Sequence, residues 1–335
     1  MRYSYGPWGT TIREFVIASE QAESAGFSRI WTNELHRSAF IPLAATASST
    51  STIGLGTAIA LAFVRSPMTT ALTALDLDEL SGGRFVLGLG TGVARLNENW
   101  HNARFGKPVA HLNESVAVIR KIISSAHLGE PIVVDGEYER VNIRGYERPY
   151  PPAREAIPIY IAAVGPRLTE LAGAIGDGWI SHELCSPLYV RDAALPHLEQ
   201  GLRSARRKRE DLTVVASACC LVDSDSRQAH RLAANLVAFY ATVATYQGFF
   251  ELHGFGEEAS RIQTLFREGK HAAVVDACTD EMVDSMMLVG TADEVRNRLV
   301  SYEGLVDEIK LSPPTHLVPD EAIRSAQSQI LSLFS

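Results

Sequence analysis

The chain has 335 residues, 46% hydrophobic and 21% charged, and its 31 basic against 39 acidic residues leave a net charge of −8. That composition excludes disorder, collagen and coiled coil as descriptions of the whole chain, and dispersed acidic charge argues against a nucleic-acid-binding protein, which carries a basic stripe. At ~150 residues per domain the length fits two domains, yet one α/β barrel of ~250 residues with about 85 residues of insertions fits as well.

In chain order, short β-branched runs alternate with amphipathic stretches. Arg2 to Tyr5 reads as a strand, and a helix follows from about Thr11 with Ile12, Phe15, Ser19 and Ala22 inward at three- and four-residue spacing. Gly26 ends that helix as a C-terminal cap. A strand at Ser28 to Asn33, a helix over Ile41 to Ser51 and a strand at Ile53 to Ile59 come next. Pro67 opens a helix that stops at Ser81-Gly82-Gly83, before a strand over Arg84 to Gly90. A long helix spans about Val109 to His127, with Leu112, Val116, Ile119, Ile123 and Ala126 along one stripe. Ile132 to Ile143 alternates around Asp135-Gly136 as a small hairpin, and Tyr146 to Pro158 is a proline-rich connection. The rhythm resumes with a strand at Ile159 to Ala162, a helix at Pro166 to Ile175, a strand at Gly178 to Ser181, a helix near Val190 to Arg206, and a strand at Thr213 to Val222. A helix from Arg227 to about Ala244 leads into Tyr246 to Met287, which reads as a helical insertion. A helix over Ala292 to Tyr302, a strand at Asp307 to Leu311 and a helix from Asp320 complete the chain.

Eight strands separated by helices leave an open doubly wound sheet or a closed barrel, and the strand count without a composition break favours the (β/α)8 TIM barrel. The expected organisation is one domain over residues 1–335, with insertions near 128–156 and 246–287. Ser38 to Val64 is uncharged but is broken by Pro42, Gly54, Gly56 and a Ser/Thr run, so it reads as buried helix, turn and strand and not as a membrane span. No basic-then-apolar segment opens the chain, which points to the cytoplasm. Cys185, Cys219, Cys220 and Cys278 lack metal-ligand spacing and read as buried free thiols.

In a barrel, chemistry belongs at the carboxyl ends of the strands, here Trp31 to Glu34, Thr57 to Ile59, Thr91 to Val93, Ala162 to Gly165 and Ser181 to Glu183. The run Gly88-Leu89-Gly90-Thr91-Gly92 lacks the third glycine of a dinucleotide fingerprint, where Val93 stands. Its small residues suit either a planar ligand close to the backbone or barrel packing. Pro166 after Gly165 suits a first helical turn, and the free N–H groups there with Arg167 form a candidate phosphate site, although any strand-to-helix turn uses such residues. Glu34 and His36 are candidate proton-transfer groups, against the plainer reading of solvated loop residues; His182-Glu183 is similar. No metal cluster, nucleophile elbow or Ser/His/Asp order can be assigned.

Several stretches carry a resemblance. Glu23 to Phe27 into Ile30-Trp31, Ile53 to Ile59, and Leu80 to Phe85 into Leu87 to Gly92 look like the bacterial luciferase-like monooxygenase superfamily. So do Pro158 to Pro166 into Gly176 to Ile180, and Val289 to Val295. Thr91 to Glu98 and the Ala163 to Pro166 turn are most similar to the branch that uses the 5-deazaflavin coenzyme F420, including methylenetetrahydromethanopterin reductase-like proteins.

The resemblance implies a TIM barrel with a non-proline cis peptide at Ala58-Ile59 against the deazaflavin ring. It implies cofactor contacts from Asn33, Ala58, Ile59, Thr91, Gly92 and Asn97, from Ala163, Val164, Gly165, Pro166 and Arg167 for the phosphate and tail, and from Ser181 and His182. It also implies a homodimer and a small-molecule substrate; the residues themselves point to no metal, nucleic acid or membrane partner. Two departures count against sugar-phosphate oxidation: Glu34 is followed by Leu35 with His36 one place later, and Val93 stands where that branch has a catalytic glutamate. The expected activity is F420-dependent hydride transfer, with any acid coming from Glu34, His36 or solvent. The alternatives are an FMN-dependent monooxygenase and a cofactor-free binding member of the superfamily.

Overall fold

The computed structural model describes residues 1–334. Its strands are β1 (Arg2–Tyr5), β2 (Arg29–Thr32), β3 (Gly54–Thr57), β4 (Ala60–Leu61), β5 (Phe85–Gly90), β6 (Ile132–Asp135), β7 (Arg140–Ile143), β8 (Ile159–Ala162), β9 (Gly178–Ile180), β10 (Thr213–Val222), β11 (Leu288–Gly290) and β12 (Glu308–Ser312). Eight of them, β1, β2, β3, β5, β8, β9, β10 and β12, are the parallel strands of a closed barrel with helices between them, a luciferase-like TIM barrel. Among the described residues no helix is long and apolar enough to cross a membrane.

The chain divides into two compact units, one made of Met1–Phe27, Ser181–Pro196 and the chain from Val215 on, the other of Ser28–Ile180 and His197–Val214. In the second unit β2 pairs β3 with Thr32 opposite Thr57, β3 pairs β5 with Gly56 opposite Val86, and β5, β8 and β9 continue in parallel. The seam between β3 and β5 explains two glycines. A Cβ on Gly88 would sit 1.8 Å from the Thr57 carbonyl oxygen, and one on Gly90 would sit 2.8 Å from Ile59 Cδ1. Thr57 Oγ1 both donates to the Gly88 carbonyl (2.7 Å) and accepts from its N–H (2.8 Å), so a side chain replaces a ladder partner there. Of the two readings that these small residues allow, the space at Gly88 and Gly90 is taken by the protein's own atoms.

The hairpin β6–β7 is antiparallel, as the alternation predicts. It is held to the helix Pro108–Ser125 by Glu114, whose carboxylate accepts the N–H groups of Glu137, Tyr138 and Glu139 at 3.2, 2.8 and 3.0 Å. Those bonds, the one from Glu139 foremost, keep the Glu114 carboxyl below the usual carboxylate range. Nearby, the His111 ring is stacked between Phe63 at 3.8 Å and Tyr138 at 4.5 Å.

In the first unit β12 lies between β1 and β10, and β11 extends the far end of β10. Residues 246–287 form helices Gln247–Leu252, Gly256–Arg267, His271–Asp276 and Asp280–Met286. Several boundaries differ from the sequence reading. Ile12 is exposed and Ala18 takes its place inside, because the buried face of the helix Ile12–Ser24 is Phe15, Ala18, Ser19 and Ala22. The strand expected to run to Ile59 stops at Thr57. The helix expected near Val190 begins at Pro187, capped by the Ser186 hydroxyl. The strand Leu288–Gly290 had no periodicity to reveal it, being three residues long. All four cysteines are buried and unbridged.

The β3–β5 seam gives a stability test. Gly88→Ala forces a methyl group into a carbonyl oxygen that cannot give way without breaking the strand pairing, so a loss of about 3 kcal/mol or more is expected in chemical denaturation.

Candidate functional site

The ladder between β2 and β3 continues past both strands. Ala58 N–H donates to the Thr32 carbonyl at 2.5 Å and Glu34 N–H to the Ile59 carbonyl at 3.0 Å, and the Ala58–Ile59 peptide bond is cis, as the resemblance implies. The side chain of Ile59 lies over Gly90 in the neighbouring strand.

After β5 the backbone turns at Gly92, whose φ is +60°, a conformation that suits glycine. A π-helical turn follows over Leu96–Trp100 and buries Asn97 completely. The sequence reading expected no helix here, and such turns are common at functional sites. Asn97 Nδ2 donates to the carbonyls of Thr91 (2.8 Å) and Val93 (3.0 Å), which fixes the orientation of the amide. Its Oδ1 is left buried without a hydrogen-bond donor among the described residues. An unmatched buried acceptor costs ~1–3 kcal/mol, so its presence asks for a partner. Thr91 is buried, Gly92 is half-buried and Val93 is exposed.

Glu34 is held more firmly than the sequence suggests. Its Oε2 accepts from Leu61 N–H (2.9 Å) and Arg65 Nη1 (2.7 Å), and its Oε1 from Arg65 Nη2. The Glu34 carboxylate is 7% exposed and the Arg65 guanidinium 24%, so this bidentate pair is largely out of water. Asn33 and His36, on the same loop, are exposed. Arg65 was not singled out in the sequence, because its partner is 31 positions away and no periodicity links them.

At the end of β8, the Ala163 carbonyl accepts from Trp179 Nε1 at 3.0 Å, Val164 is half-buried, and Gly165, Pro166 and Arg167 are exposed at the start of the helix Pro166–Ile175. A Cβ on Gly165 would meet open space, so the approach to this helix start is clear. Pro166 at the first position leaves the next N–H groups free of helical partners and aimed outward.

Ser181 and His182 belong to the other unit. Ser181 Oγ donates to the His182 carbonyl (2.9 Å) and accepts from Ser217 N–H (2.7 Å), which anchors the turn after β9 to β10. His182 Nδ1 accepts from Leu184 N–H at 3.2 Å, so the neutral ring carries its proton on Nε2. Its ring is surrounded by Tyr240 at 4.6 Å, Tyr246 at 4.4 Å and Phe249 at 5.6 Å. Tyr246 and Phe249 come from the helical insertion over 246–287. Burial pushes the His182 imidazole down to about 4, against the pull of Glu183. The Glu183 carboxylate accepts from the Tyr240 hydroxyl and from Cys219 Sγ at 3.5 Å. Burial opposes its charge, but His182 and Lys310 with these two donors hold its carboxyl below the usual range. Lys310 and Tyr240 escaped the sequence reading; the one available signal was a lysine between Ile309 and Leu311 in a strand. Among the described residues no cluster of three or more His, Cys, Asp and Glu could hold a metal ion.

A cavity of about 750 Å³ lies elsewhere, beside the helix Ile12–Ser24. Of its lining groups, Gln327 Oε1 accepts from Tyr5 Oη at 2.9 Å and Trp8 N–H at 2.7 Å.

Barrel, carboxyl-end loops and glycine-lined β5 together define a luciferase-like barrel protein. The chain belongs to the luciferase-like monooxygenase family, whose pattern it matches over residues 2–308. It is 31% identical over 304 residues to a putative coenzyme F420-dependent oxidoreductase of Mycobacterium tuberculosis, covering 84% of this chain and 85% of the relative. It is also 31% identical over 307 residues to a 5,10-methylenetetrahydromethanopterin reductase of Archaeoglobus fulgidus, covering 87% of each. Among solved structures, the coenzyme F420-dependent tetrahydromethanopterin reductase of Methanopyrus kandleri superposes with a TM-score of 0.83 at 22% identity over 100% of both chains. An FMN-containing type II Baeyer-Villiger monooxygenase of Pseudomonas putida superposes with 0.66 at 20% identity, covering 100% of this chain and 96% of that one. Both show the shared fold.

Two measurements check this electrostatic picture. Arg65→Ala leaves the Glu34 carboxylate enclosed with only one backbone donor, and a loss of about 1–3 kcal/mol in denaturant is expected. Because His182 binds its proton less readily folded than unfolded, stability is complete above about pH 6.5 and falls as the pH drops towards about 4. A His182→Phe variant should show a shallower decline in Tm across that window than the natural chain.

Proposed function

We propose that this chain is a deazaflavin-dependent oxidoreductase of the F420-using kind, exchanging a hydride with a small organic substrate. Asn97 carries the reading. The pyrimidine edge of a deazaflavin presents a ring N–H between two carbonyls, and Asn97 Oδ1 is a fixed acceptor lacking a donor. The F420-dependent relatives at 31% identity support the same reading.

When bound, the deazaflavin supplies a hydride donor or acceptor carbon, and it lacks the ring nitrogen that FMN uses to activate oxygen. The chain has to position rings and exclude water. Ala58 and Ile59 provide a flat apolar ledge, and Thr91, Gly92 and Asn97 provide the polar edge. Gly165, Pro166 and Arg167 offer outward N–H groups and a guanidinium to the phosphate. Glu34, bound to Arg65 and to Leu61 N–H, acts as a positioning residue for the loop that follows the cis bond, and it is not a free acid.

Fluorescence titration with F420 and with FMN tests this. Saturable F420 binding is expected, weakened about tenfold, or 1.4 kcal/mol, in an Asn97→Ala variant whose melting curve remains cooperative. Tight FMN binding without F420 binding overturns the proposal in favour of a flavin monooxygenase. Binding of neither leaves the cofactor-free alternative.

A further inference from the structure

The cavity beside the helix Ile12–Ser24 is a groove between that helix and the helix Asp320–Leu331, and every residue lining it belongs to the first unit. Glu14 and Arg324 meet near the starts of the two helices, while Ala25 and Leu331 stand at their ends, so the groove follows both helices along their length. From Glu14 to Ala25 that is about 16 Å, at a rise of ~1.5 Å per residue. Ile17, Ala18, Ala25 and Leu331 give it an apolar lining, and the exposed Gln21, Ser24, Ser328 and Ser332 give it a polar rim. A space of about 750 Å³ that is mostly apolar and holds a few convergent polar groups has the form of a small-molecule site.

The buried polar group in this groove is Gln327, 9% exposed. Its Oε1 is spent twice, on Tyr5 Oη at 2.9 Å and on Trp8 N–H at 2.7 Å, so the amide has one orientation and Nε2 is turned away from both donors. Among the described residues Nε2 donates to nothing, which leaves two N–H groups for the groove. Arg324 lies over the Trp8 ring at 5.4 Å, and its Nη2 stands 3.6 Å from Glu14 Oε1, beyond hydrogen-bond reach. The guanidinium is steadied without spending a donor. Glu14 is committed elsewhere: its Oε2 accepts from Thr10 Oγ1 and Thr10 N–H, both at 2.7 Å, and these bonds, the hydroxyl's foremost, keep its carboxyl below the usual range. At this end of the groove the acceptors are taken and the donors are not, so the matching ligand brings acceptors. One guanidinium beside one carboxylate leaves no surplus charge for a doubly charged phosphate, whereas a single carboxylate fits the fork of Arg324 and takes the Gln327 amide as well.

We propose that this groove binds a monocarboxylate with an alkyl chain, of the medium-chain fatty-acid kind, with its head on Arg324 and Gln327 and its chain along Ile17, Ala18, Ala25 and Leu331. The proposal goes beyond the hydride-transfer reading and does not depend on it. Because the amide that meets the ligand also holds Trp8 N–H, an occupied groove steadies the loop that follows β1.

Titration of the full chain with decanoate, kept below its aggregation threshold and followed by calorimetry and tryptophan fluorescence, tests this. Saturable binding is expected, with a change in emission that Trp8→Phe abolishes while the heat of binding remains. Affinity should rise from hexanoate to decanoate by about twofold to fourfold per methylene, and acetate should give no measurable heat. Gln327→Glu keeps an oxygen for Tyr5 and Trp8 but sets negative charge where the N–H groups stood, so decanoate should bind about tenfold more weakly or worse while the melting curve stays cooperative. Arg324→Met, at an exposed position, should weaken binding by a similar factor. Absence of saturable decanoate binding overturns the proposal. Equal affinity for methyl decanoate overturns the carboxylate head, and unchanged affinity in both Gln327→Glu and Arg324→Met overturns this groove as the place of binding. Protection of Trp8 from iodide on raising the protein concentration, without a decanoate response, assigns the groove to a second copy of the chain and overturns the proposal too.

Discussion

The interlock of Thr57 with Gly88 is the constraint on which the unit made of Ser28–Ile180 and His197–Val214 depends. A threonine hydroxyl satisfies both backbone groups of Gly88, and the threonine carbonyl fills the volume where any other residue would carry its Cβ. Two parallel strands are thereby brought to a separation that ordinary side chains would not permit. The next residues inherit the geometry: Ile59 is laid over Gly90, and the chain beyond it is delivered to the Glu34 carboxylate through Leu61 N–H. The glycine run of β5 therefore serves packing first. Any planar ligand would rest on the surface that this packing creates, not directly on bare glycine backbone.

Glu34 and Glu183 show how one residue type is given different work by its surroundings. Glu34 faces a guanidinium in bidentate geometry, the arrangement that ties a carboxylate down most strongly. It organises a loop. Glu183 is held by a hydroxyl and a thiol, neutral donors that orient it without cancelling its charge, so its field remains available to His182 and Lys310. Tyr246 and Phe249 enclose the same imidazole. Excluding water there raises the electrostatic cost of charging the ring and explains why it stays neutral through the physiological range.

The barrel was legible in the sequence because its signals are local: alternation of strands and helices, the cap at Gly26, and a helix stripe from Leu112 to Ala126 that is buried along its whole length. The positions around Ala58, Thr91 and Ala163 were reached through motif resemblance, which transfers backbone features well. Groups joined only by the closing of the fold were not legible. Arg65 meets Glu34 across 31 residues and Tyr240 meets Glu183 across 57, and nothing in either neighbourhood marks the pairing. Lys310 sits in phase with Glu308 and Ser312 on one face of β12, against Ile309 and Leu311 on the other, so nothing in its local pattern sets it apart.

Stability gives no account of that lysine. An ammonium drawn out of water beside a carboxylate recovers its desolvation cost only when geometry and hydrogen bonds are excellent, and replacing such a pair with apolar side chains is often neutral or stabilising. A methionine at this position would fill the space beside Gly6, where the lysine stem runs, with nearly the same shape and would impose no such cost. Glu183 would lose a compensating charge but would keep its hydroxyl and thiol donors. The aliphatic stem is thus explicable by packing, and what the amine adds is charge: with His182, the Tyr240 hydroxyl and the Cys219 thiol it holds the Glu183 carboxyl below its usual range.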